Sequence, residues 1–86
     1  MDMRMLVGRN FARLRRERGL TQEQVEAASG YGQQYLSGLE NGKRNPTIVT
    51  VYELAQAIGV SHLDLLAPLP ESAGRQRKVD ERSRRR

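Results

Sequence analysis

Between residues 6 and 66 the apolar positions recur at helical spacing, and nowhere do they alternate as in a half-buried strand. Val7, Phe11 and Leu14 stand at i, i+4 and i+7, which predicts a first helix over residues 6–18 stopped by Gly19. Val25 and Ala28 predict the inner side of a short second helix, and Leu36 with Leu39 the inner side of a third. Ile48, Val51, Leu54, Ala55 and Ile58 line one face of a fourth, ended by Gly59, and a short fifth carries Leu63 and Leu66. The expected fold is all-α, a compact five-helix domain over residues 1–69.

The polar punctuation agrees with these limits. Thr21 with Gln24 three residues on has the form of a capping box, as does Ser61 with Asp64. Thr47 is placed to cap the fourth helix, after a turn in which Pro46 bars extension of the third. Gly30 permits a sharp reversal after Ala28 and Ser29, and Tyr31 before the N-cap Gly32 can pack on Leu36 as a hydrophobic staple. Two short helices joined by such a glycine turn are the unit that lays its second helix in the major groove of DNA. Double-stranded DNA is the leading candidate partner on this ground.

Charge sharpens the expectation. Of the net +5, residues 1–18 contribute +4, residues 19–70 contribute −3, and residues 71–86 contribute +4. Positive charge gathered in the first helix and the tail suits neutralisation of phosphates; the plainer alternative is a solvated helix face with a solubilising tail. From residue 70 the chain is rich in arginine with Val79 as its one sizeable aliphatic residue, so residues 70–86 are expected to form a basic disordered tail. With no cysteine and a lone histidine, His62, neither a disulfide nor a metal site is expected, and no cofactor. His62 is expected to be an exposed first-turn residue. No nucleophile–base pair or paired carboxylates point to an enzyme. No apolar run reaches membrane-spanning length, and a cytoplasmic protein fits best.

Residues 7–66 resemble the repressor/Cro-type helix-turn-helix family of bacterial and phage regulators. The matched motifs are Gly19-Leu20-Thr21-Gln22, Leu36-Ser37-Gly38-Leu39-Glu40-Asn41-Gly42, Arg44-Asn45-Pro46-Thr47, and Leu54-Ala55-Gln56-Ala57-Ile58-Gly59-Val60-Ser61. The resemblance implies a recognition helix over residues 32–41, with Gln33, Gln34 and Ser37 reading base edges. A glutamine amide can pair bidentately with adenine, which suits such positions. It implies DNA-backbone contacts from Gln22, Tyr35, Asn41, Lys43 and Arg44, with core packing as the alternative for Tyr35. It also implies a structural pair between Arg15 and Glu40. Arg9, Arg13 and Arg16 fall to a solvated face and long-range attraction. Gly38 departs from the long polar side chain common there: it either allows close approach of the backbone to DNA or leaves one base fewer read.

The function these observations imply is a sequence-specific transcriptional regulator, a repressor or autoregulator, that binds as a homodimer through Leu63 and Leu66. Two alternatives accompany it, a restriction–modification controller protein and an antitoxin-type module with a protein partner. A small-molecule effector is not expected in so short a chain.

Overall fold

Every helix starts where a short polar side chain, or Gly32 in one case, allows the first turn to form. The computed structural model describes residues 2–70, which form five helices: α1 (Met3–Glu17), α2 (Gln22–Ser29), α3 (Gln33–Glu40), α4 (Ile48–Ile58) and α5 (His62–Leu66). Among the described residues there is no strand. The tail expected over residues 70–86 lies, beyond Pro70, outside them.

The predicted caps are present. Thr21 and Gln24 close a full capping box, as do Ser61 and Asp64, and Thr47 Oγ1 accepts from Thr50 N. The first helix begins earlier than its apolar stripe suggests. Asp2 accepts from the Arg4 amide at 2.8 Å, so α1 starts at Met3 rather than residue 6. Arg4 holds the Asp2 carboxyl below its ordinary value by hydrogen bonding from its side chain and backbone, and by charge.

Phe11, Val25, Leu36, Leu39, Leu54 and Leu65 are buried almost completely and form the centre of the core, together with Val7, Val51, Ala55 and Ile58. Full burial of each large side chain favours the fold by about 1.5–3 kcal/mol. Two expected core positions differ. Ala28 is exposed, because the chain beyond Gly30 sends Tyr31 against the core instead. Ile48 is 88% exposed: it is the first residue of α4, and in that turn the inner position belongs to Thr50. In α5 the core residue is Leu65, while Leu63 and Leu66 face outward at 65% and 42% exposure.

Asn10 explains how a five-residue helix stays docked. It is fully buried in α1, and its Nδ2 donates to Leu65 O at 2.9 Å and to Ala67 O at 2.7 Å. Its Oδ1 accepts from Arg13 at 3.0 Å. One amide therefore satisfies two carbonyls at the end of α5, that of Leu65 in the helix and that of its C-cap Ala67, which a helix this short leaves without internal partners. Asn10→Ala should lower stability by about 2–4 kcal/mol, since two carbonyls lose their donor inside the protein. Urea unfolding measures the loss, and native-state hydrogen exchange should show α5 opening before α2 and α3. A variant within about 0.5 kcal/mol of wild type, the usual range for surface changes, would refute the role.

Candidate nucleic-acid interface

The turn between α2 and α3 is fixed by side chains as well as by Gly30, whose φ of 85° is in the left-handed region. Ser29 Oγ donates to Val25 O at 2.7 Å and accepts from Tyr31 N at 3.1 Å. The Tyr31 hydroxyl donates to Glu53 Oε1 at 2.7 Å and lies 3.0 Å from Thr50 Oγ1. The expected staple is thus a wider anchor, with the Tyr31 ring on the core and its hydroxyl tied to α4.

α3 is seated from behind by α1. A Cβ on Gly8 would stand 2.1 Å from the Leu39 carbonyl oxygen, so only glycine allows the two backbones to meet there. Further along α1, Arg15 grips α3 by charge. Its Nε donates to Glu40 Oε2 at 2.7 Å, its Nη2 to Glu40 Oε1 at 3.1 Å, and its Nη1 to Leu20 O at 2.7 Å. Both side chains are largely buried, 11% and 8% exposed. The predicted structural pair is present, with the Leu20 carbonyl as a third partner that the spacing did not reveal.

With Leu36 and Leu39 turned inward, the 100° step of the helix puts Gln34, Ser37, Gly38 and Asn41 on the outward side, with Gln33 at its edge. Gln33, Gln34, Ser37 and Asn41 are exposed. Gln22, the first residue of α2, is half-buried. Asn41 closes the helix by donating from Nδ2 to Ser37 O at 2.9 Å, which leaves one of its two amide N–H groups for another partner. Bonds from Gly42 N to Leu39 O (3.0 Å) and from Lys43 N to Gly38 O (2.8 Å) then reverse the chain.

That reversal brings the loop back alongside α3. Lys43 is exposed, and the Arg44 guanidinium lies 5.3 Å from the centre of the Tyr35 ring. The ring is half-buried and sits 5.3 Å from that of Tyr31, tilted by 30°. Burial raises the Tyr35 phenol above its ordinary value, Tyr31 adds to the rise and Arg44 opposes it, so the group is a neutral O–H at physiological pH. Tyr35 thus both packs on the core, as in the alternative given above, and keeps contact with the outward side.

Elsewhere on α1, Arg13 pairs with Glu17 at 3.3 Å, whereas Arg9 and Arg16 are exposed. His62 is exposed, its ring 5.8 Å from that of Tyr52. Among the described residues no group of acidic, histidine or cysteine side chains is placed to hold a metal ion, and no helix is long and apolar enough to cross a membrane.

A helix-turn-helix family model matches residues 11–65. The chain belongs to that family. The HTH-type transcriptional regulator y4dJ of Sinorhizobium fredii is 71% identical over 72 residues, covering 84% of this chain and 94% of that protein. The restriction-modification controller protein C.AhdI from Aeromonas hydrophila shares the fold with a TM-score of 0.68 and 32% identity, over 72% of this chain and 94% of that one. The controller protein C.Esp1396I, solved as a tetramer in complex with its natural 35 base-pair operator, gives a TM-score of 0.69 and 28% identity, over 76% and 86% of the two chains. This helix-turn-helix protein is therefore a transcriptional regulator carrying a DNA-binding fold, in a family of regulators rather than of enzymes.

The clamp on α3 can be tested directly. Glu40→Ala should cost about 3–5 kcal/mol, because Arg15 would stay buried without its counter-charge. The double variant Arg15→Met, Glu40→Leu should regain most of that stability, since apolar replacement removes the desolvation cost with the charges. Thermal or urea unfolding of the three proteins checks both, and single variants within about 1 kcal/mol of wild type would show a pair already screened by solvent.

Proposed function

We propose that this helix-turn-helix protein is a sequence-specific regulator that acts as a homodimer, with α3 in the major groove of double-stranded DNA, repressing or autoregulating the promoter it occupies. One observation carries the proposal. The outward side of α3 presents Gln33, Gln34 and Ser37 free of any packing element, while its inward side is locked to α1. Side chains carried on a helix fixed in this way and left open suit base-edge recognition. Gln22, half-buried in the first turn of α2, together with Tyr35, Lys43 and the remaining amide N–H of Asn41, is assigned to the sugar–phosphate backbone.

A single domain of this size covers one half-site, and specific affinity usually needs two. Leu63 and Leu66 lie open on α5, and Leu66 lines a groove together with Met3, Ile48, Val49 and Tyr52. An apolar patch of this kind on so small a domain marks an association surface. This supports the homodimer and extends the patch from the fifth helix to α4 and the start of α1.

The similarity to C.AhdI and C.Esp1396I favours one narrower version, a restriction–modification controller. Genes for a restriction endonuclease and a methyltransferase beside this one would support it, and their absence would leave the broader regulator.

Protection mapping of the DNA upstream of its own gene tests the proposal. Two protected half-sites related by two-fold symmetry are expected, their centres roughly one helical turn, about 34 Å, apart or a multiple of it. Gln34→Ala and Gln33→Ala should each cost about 1–3 kcal/mol on that site and relax preference at one or two base pairs. Gln22→Ala should weaken all duplexes about equally. Full discrimination in both α3 variants, with circular dichroism unchanged, would remove α3 from the reading role.

The homodimer has a separate test. Leu63→Glu should move sedimentation from dimer towards monomer and weaken operator binding with it. A wild type that stays monomeric while binding its operator tightly would contradict the assembly.

A further inference from the structure

Gly38 lies on the outward side of α3, four residues after Gln34, where any side chain would project beside that of Gln34. The space is already taken. A Cβ built on Gly38 would stand 2.9 Å from Arg44 Nε, 3.3 Å from its Cγ and 3.6 Å from its Cδ. The arginine stem thus crosses the recognition helix at the position where residue 38 has no side chain of its own. Its guanidinium ends 5.3 Å from the centre of the Tyr35 ring. An exposed arginine is normally mobile, but this one rests on a glycine seat against an aromatic face, an arrangement that limits its rotamers and leaves its outer N–H edge free.

We propose that Arg44 stands in for the missing side chain at position 38 and reads a base in the major groove, with guanine as the chemistry its planar donor fork fits best. Gly38 and Tyr35 are its positioning residues. The assignment rests on α3 being the reading helix, as proposed above, and it moves Arg44 from the backbone contacts expected of it to the base-reading set. Two features separate this role from a phosphate contact. A phosphate can be met by any flexible cation and needs no seat, whereas bidentate pairing with guanine O6 and N7 needs a guanidinium held in plane. The mid-helix glycine, unfavourable for helix formation in itself, then has a use.

Arg44→Lys keeps the charge and loses the fork; Gly38→Ala keeps Arg44 and removes its seat. Duplexes selected by the wild-type protein from a random pool, together with every single base-pair substitution of the chosen site, provide the probe. Arg44→Lys should bind unrelated duplex within about twofold of wild type while losing roughly tenfold or more on the selected site, and one G·C pair should cease to be discriminated. Gly38→Ala should lose discrimination at that same pair although its melting temperature is equal or higher, because alanine favours the helix. A purely structural role for Gly38 could not give that combination.

Uniform weakening of all duplexes by Arg44→Lys, with every base preference kept, would make Arg44 a phosphate contact and overturn the proposal alone. Full discrimination in Gly38→Ala would overturn the seat. A wild type that selects no sequence from the pool would overturn both this assignment and the function on which it rests.

Discussion

The crossing of α1 over α3 is the constraint on which the rest of the molecule depends. At one end two backbones touch, because Gly8 has no side chain to hold them apart. At the other, Arg15 binds the carboxylate of Glu40 and the carbonyl of Leu20 together. Both contacts are made on Leu39 and Glu40, the last two residues of α3, so that end of the helix is pinned to α1 from two places seven residues apart, while buried Leu36 holds the earlier turn in the core. The outward set of α3 is therefore defined by what its inward side cannot do. Gln34 and Ser37 face outward because Leu36 and Leu39 have nowhere else to go.

Much of this was legible in the sequence, and the legible part is local. The capping boxes at Thr21 and Ser61, the Thr47 cap and the reversals at Gly30 and Gly59 each depend on atoms within a few residues of one another. The exposure of Gln33, Gln34 and Ser37 follows from the same short-range periodicity. Even the start of α1 was readable in principle. Asp2 is a good cap, but it stands four residues ahead of Leu6, and an apolar stripe locates a helix middle better than its end.

What the sequence hid depends on distance along the chain. Asn10 looks like a surface residue of an arginine-rich helix until α5, 55 residues later, brings its carbonyls to it. Leu65 could not be ranked above Leu63 and Leu66, since five residues are too few for a periodicity to show which side faces inward. Ile48 matches the stripe of α4 in spacing yet stands at the helix tip, where the stripe has run past the core. Gly38 is unexpected in the sequence, and only the returning loop brings the Arg44 stem to where its side chain would be. Nothing in the spacing of Gly38, Tyr35 and Arg44 says that three residues from two segments share one spot.

The seat of Asn10 has a wider consequence. It lies two residues after Gly8, hence about 200° around the same helix. α3 hangs from one side of α1 and α5 from nearly the other, so a single helix carries both the outward side of α3 and the apolar surface of α5. In any two-fold pair joined through α5, the span between the two copies of α3 is then a built-in length rather than one adjusted on contact. On the function proposed above, such a pair would act as a fixed caliper, rejecting a duplex whose half-sites are wrongly spaced before a single base has been compared.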